Sequence, residues 1–140
     1  MDFKGRHVPF YEGAANGAQP LMNPDIIEYE VKSRQVTTLQ LPEFREDLLN
    51  IAREAPHGVI LNLQNVETLD SAAFGAIIML VRQLPSPGRV CLFGARRELR
   101  TLCEVLRLNN VVGLADTRDE AYSDIENYLA RKMHLTARVD

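Results

Sequence analysis

The apolar run Val59-Ile60-Leu61-Asn62-Leu63, set between Gly58 and Gln64-Asn65, constrains the fold of this chain more than any other stretch. A strand with so little polar alternation needs cover on both faces, which is the situation of a central strand in a parallel sheet. A second run of the same kind follows at Val90–Phe93. Between them, Ser71–Leu84 carries Phe74, Ile77, Ile78 and Val81 at helical spacing. Strand, helix and strand in that order predict parallel pairing through a helical crossover. The fold class is therefore α/β: one domain with a mixed, mostly parallel sheet packed by about four helices.

The flanking sequence extends this frame. Ile26–Val31 and Gln35–Leu41 read as two strands joined by the polar turn Lys32-Ser33-Arg34. A link that short makes the leading pair antiparallel. Pro42 suits a first helical turn, and Phe44, Leu48, Ile51 and Ala52 continue with helical spacing until Ala55-Pro56-His57-Gly58. Pro85-Ser86-Pro87-Gly88 ends the next helix. Arg96–Leu108 predicts another, with Leu99, Leu102, Cys103 and Leu106 on one apolar face. Val111 and Val112 suggest a short last strand. Thr117-Arg118-Asp119-Glu120 has the spacing of a capping box, with Thr117 and Glu120 serving each other's backbone donors, ahead of Ala121, Ile125, Tyr128 and Leu129. Residues 1–24 have no period and read as a flexible leader, with Met22 as an alternative start. The domain spans 25–132, and residues 133–140 read as a frayed tail.

Composition excludes several classes. With 16 Lys+Arg against 19 Asp+Glu the net charge is −3, without the basic footprint of a nucleic-acid binder. The longest apolar run, Ala72–Val81, is about half the ~20 residues that span a bilayer, and the N-terminus lacks a secretory pattern. A cytoplasmic protein without direct membrane insertion is expected. Cys91 and Cys103 are too few for a disulfide framework and read as small core residues. His7, His57 and His134 are far apart and no cysteine pair has zinc spacing, so no metal and no cofactor are implied. There is no phosphate loop, no serine elbow and no paired carboxylate, and the chain is not expected to be an enzyme. Arg96, Arg97 and Arg100 could meet an anion or nucleotide, although a solvated face explains them as well.

One junction carries more physics. Asp70 is a suitable N-cap for the helix that Ser71 opens. A phosphate on Ser71 would meet unpaired N–H groups and the positive end of the helix dipole, and would add about −1.5 to −2 charges beside Asp70. Ser71 is then either a plain cap neighbour or a switch. The helix after it is apolar nearly all round, which fits burial under neighbours or a face shown to a partner.

The stretch from Gly58 to Ile77 resembles the signature of STAS domains, the fold of anti-sigma factor antagonists: an apolar strand, a short link, Asp70-Ser71, then small residues and Gly75 opening an apolar helix. Val90–Gly94 with Leu99, Leu102 and Leu106–Leu108, and Thr117–Ala121, are similar to the family's later elements. The resemblance covers about residues 26–130. It departs at Asn62, where Asp is usual, at Ala73, where Gly is usual, and at Leu41-Pro42-Glu43-Phe44, which replaces the usual Gly-acidic-Leu-Asp turn. It implies a phosphorylation-switched protein-binding module in a partner-switching pathway. Ser71 would be the phospho-acceptor, Asp70 its cap, and Thr68, Ala72, Ala73 and Phe74 the partner-binding residues. The implied partners are a serine kinase that doubles as an anti-sigma factor and a metal-dependent serine phosphatase. An unphosphorylated STAS scaffold of a larger signalling or membrane-transport complex is the alternative. Homodimerisation through the apolar surface stays open.

Overall fold

The apolar run forms β4 (Gly58–Asn62), and all five of its residues are buried. A computed structural model of the chain describes residues 6–7 and 26–139. Around β4 it arranges β1 (Arg6–His7), β2 (Ile26–Glu30), β6 (Arg89–Phe93) and β7 (Gly113–Ala115) in the order β1-β2-β4-β6-β7. The β1–β2 pair is antiparallel and the other three pairings are parallel. A separate two-stranded parallel sheet joins β3 (Gln35–Val36) to β5 (Thr68–Leu69). The helices are α1 (Leu41–Arg53), α2 (Ser71–Gln83), α3 (Arg97–Val105) and α4 (Arg118–Val139).

Strand side chains alternate between two cores. Ile27, Val59, Leu61, Val90 and Leu92 pack with Leu48 and Ile51 of α1, Phe74, Ile77 and Leu80 of α2, and Leu99 and Cys103 of α3. Ile26, Ile60, Cys91, Phe93 and Ala115 pack with Ala121, Ile125 and Leu129 of α4. Each fully buried Leu or Ile contributes about 1.5–3 kcal/mol. The double cover explains why β4 carries apolar residues without alternation. Gly113 leaves room for a neighbour: a Cβ there would run into the carboxylate of Asp124.

The leading antiparallel pair exists with different members from those expected. Ile26–Glu30 pairs with Arg6–His7, while Gln35–Val36 crosses to run parallel to Thr68–Leu69. The expected strand stops at Val36, because Gln40 Oε1 accepts from Thr37 N–H (3.1 Å) and Thr37 Oγ1 (2.9 Å) and closes a turn into α1. Apart from Arg6 and His7, the predicted leader lies outside the described residues. At the other end the backbone stays helical to Val139, beyond the expected end near Lys132. The last strand is Gly113–Ala115; Val111 and Val112 precede it. The cap before α4 is shifted: Glu120 N–H donates to Thr117 Oγ1 (3.1 Å), but Glu120 Oε1 accepts from Asp116 N–H (2.9 Å). On α3 the expected face splits. Leu99 and Cys103 are buried, whereas Leu102 and Leu106 are exposed. On α2, Ile78 and Val81 are only partly covered, and Ala73, Ala76 and Leu80 complete the buried side instead.

Candidate functional site

The turn from β5 into α2 is held from below by backbone. Glu67 and Thr68 N–H both donate to Arg34 O (2.6 and 3.1 Å), and Asp70 N–H donates to Val36 O (3.2 Å). Buried Leu69 pins the turn to the core. Asp70 is extended (φ −92°, ψ 178°), the conformation an N-cap needs, and its Oδ1 accepts from Ala73 N–H at 3.1 Å. Asp70 is thus the N-cap of α2.

Ser71 is therefore the first residue of α2, and it is exposed. No hydrogen bond among the described residues holds its hydroxyl. The first-turn N–H groups of a helix have no intrahelical partner. Asp70 takes the one on Ala73, so those of Ser71 and Ala72 face outward with the positive end of the dipole. The rim is charged, with Glu67 between Arg34 (3.9 Å) and Arg96 (3.6 Å). Leu39, on the turn after β3, is 87% exposed.

The partner-binding residues expected from sequence divide here. Thr68 and Ala72 are exposed. Ala73 and Phe74 turn inward and are 0% and 3% exposed, so they belong to the core and cannot form a docking face. The helical period places Gly75, not Ala73, beside Ser71 and Ala72 at the surface. The gap left by a side-chain-free residue at 75 marks that face, a signal that residue-by-residue matching passes over.

Other chemistry is sparse. Burial, followed by the field of Asp124, pushes the Cys91 thiol up to about 12, and burial also raises Cys103. Both thiols stay protonated near neutral pH and are poor nucleophiles. No group of three His, Cys, Asp or Glu side chains among the described residues could hold a metal ion, and none of their helices is long and apolar enough to cross a membrane. Of the three arginines considered for an anion, Arg96 pairs with Glu67 and Arg100 with Asp116. Sequence reasoning missed a cavity between β2 and α1, lined by Tyr29 and Asp47 among others. Gln40, Glu43 and Asp47 recur there at one helical face, a pattern that could have found it.

The family model of the STAS domain matches residues 23–121. No match was found among curated proteins. Similar solved structures include an anti-sigma factor antagonist from Mycobacterium paratuberculosis, at 15% identity and TM-score 0.66 over 72% of this chain and 86% of that one. An anti-sigma-factor antagonist (STAS) domain protein from Planctomyces limnophilus has 14% identity and TM-score 0.62 over 71% and 87%. The Bacillus cell fate determinant SpoIIAA in its phosphorylated form has 16% identity and TM-score 0.55 over 72% and 91%. At these identities the likeness is one of fold.

Proposed function

The chain belongs to the STAS domain family, and we propose that it acts there as a phosphorylation-switched binding module, an anti-sigma factor antagonist with Ser71 as phospho-acceptor. The observation that carries this reading is the position of Ser71: exposed, without a hydrogen bond from its hydroxyl among the described residues, and first in a helix whose cap is already supplied by Asp70. A kinase can reach the hydroxyl without opening the domain. A phosphate there would accept from the outward first-turn N–H groups, so the modification is compatible with the folded helix. It would also place about −1.5 to −2 charges beside Asp70 on a face made of Ala72, Gly75 and Thr68. A partner that docks on small, weakly polar residues would then have to desolvate a dianion, which is costly unless paired.

The partners proposed are a serine kinase that is also an anti-sigma factor, bound by the unphosphorylated form, and a metal-dependent serine phosphatase that restores it. The chain itself performs no catalysis in this scheme and acts in the cytoplasm. Neighbours named as anti-sigma factor antagonists, and a cell fate determinant solved in a phosphorylated form, support the reading. The test is a pull-down from native lysate with Ser71→Ala and Ser71→Asp baits, read by mass spectrometry. A serine kinase retained by the first bait and lost from the second is the expected result. Equal recovery of the same proteins by both would reduce Ser71 to a cap neighbour and favour the constitutive scaffold.

A further inference from the structure

A cavity of ≈ 290 Å³ opens between the end of β2 and the first turns of α1. That is near the lower end of the range for small-ligand sites, about 300–1,000 Å³. Val31, Val36 and Phe44 give it an apolar wall, and all three are buried. Tyr29 and Asp47 provide its polar floor, at 4% and 6% exposure.

The polarity of that floor is one-sided. Tyr29 donates its hydroxyl to Asp47 Oδ2 at 2.6 Å. Burial and the neighbouring carboxylates, Asp47 first and then Glu43, raise the phenol far above its ordinary range, so it keeps its proton. That single proton is committed to Asp47. What the floor offers a ligand is acceptors only: the phenolic oxygen and Asp47 Oδ1, which receives no hydrogen bond from the described residues. No Lys or Arg among those residues pairs with Asp47. Asp47 Oδ1 is therefore an acceptor open to the cavity, with no countercharge from the described residues, and a cation can approach it there. Glu43, one helical turn earlier, lines the same opening. Lys32 stands at the exposed rim, where its charge is solvated.

We propose that this cavity binds a small primary ammonium compound with a branched apolar body, its nitrogen on the open oxygen of Asp47 and its carbons against Val31, Val36 and Phe44. The site is separate from the Ser71 reading and stands without it. Three donors on a compact cation match the acceptors of Tyr29 and Asp47; the donor-bearing side chains of the lining, Lys32, Ser33 and Gln40, are not part of that floor.

The test uses the full chain and isopentylammonium chloride, followed by amide NMR, with isopentanol as the uncharged probe of the same shape. Saturable shifts at Tyr29, Val36 and Asp47 are expected with the cation. The alcohol should bind at least about ten-fold more weakly, as should the cation to Asp47→Asn, which keeps the shape and removes the charge. Tyr29→Phe keeps the carboxylate and should still bind. Absence of saturable shifts with wild type, equal response to the alcohol, or undiminished binding by Asp47→Asn would each overturn the assignment. The comparison of cation with alcohol needs no variant, so it holds even if a substitution unfolds the chain.

Discussion

The two faces of the sheet are closed by different means. On the α4 side, apolar packing is supplemented by directional charge pairs. Arg118 donates from two nitrogens to Glu28 Oε2 (2.9 and 2.6 Å), and Arg89 donates to both carboxylate oxygens of Asp124 (2.9 and 3.0 Å) with its guanidinium 4.6 Å from the Tyr128 ring. On the other side, α1 and α2 meet through aliphatic and aromatic side chains around Leu48, Ile51, Phe74, Ile77 and Leu80, and the buried Tyr29–Asp47 hydrogen bond (2.6 Å) ties β2 to α1. Bidentate pairs fix orientation more than they add stability. The α4 face is thus held in one register. The α2 face, anchored from within, exposes only small residues at its leading end, where one added charge changes its character most.

This contrast predicts an order of effects. The largest belongs to the aliphatic face: Ile77→Ala, at a site 0% exposed, should lose about 2–5 kcal/mol in denaturant unfolding, because little can collapse into the hole. A loss below about 1 kcal/mol would mean that the α2 packing is not what anchors the head of that helix. On the charged face the mechanism differs. Arg118→Met leaves the Glu28 carboxylate, with 6% side-chain exposure, short of donors, and should lose about 1–3 kcal/mol. Adding Glu28→Gln should recover part of that loss, since the buried charge disappears together with its partner. If the double variant is as unstable as the sum of both singles, the pair is not a coupled unit.

Sequence legibility followed the same division. β4, β6 and the helices that cover them were readable because local apolar runs and helical spacing report burial directly. The Asp70 cap was readable because it depends on four consecutive residues. Pairing was less so: Gln35–Leu41 alternates well, yet nothing in it says that Val36 will sit beside Leu69 rather than return to β2. Arg6–His7 pairing with β2 spans a long sequence separation and leaves no local mark. Helical spacing counts apolar residues without knowing what covers them, so Leu102 and Leu106 were placed inside although α3 leaves them exposed. Helical spacing groups Phe74 with the core stripe, where it lies at 3% exposure; only the family resemblance, carried over residue by residue, set it among the partner-binding residues.

The smallest expected stability effects lie at the head of α2, and they sharpen the comparison most. Asp70→Ala removes the side-chain acceptor of Ala73 N–H and should cost about 1 kcal/mol, the usual value of an N-cap. Ser71→Ala removes an exposed hydroxyl with no hydrogen bond among the described residues, and should stay within about 0.5 kcal/mol of wild type by chemical denaturation. Ser71→Asp places a carboxylate at the positive end of the helix, where it gains about 0.3–1 kcal/mol, so it should be as stable as wild type or slightly more. If the Ser71→Asp chain instead unfolds more easily, lost binding in a pull-down would report a damaged helix. If it is stable and still loses its partner, the loss comes from charge at the docking face, which is the behaviour a switch requires and a cap neighbour lacks.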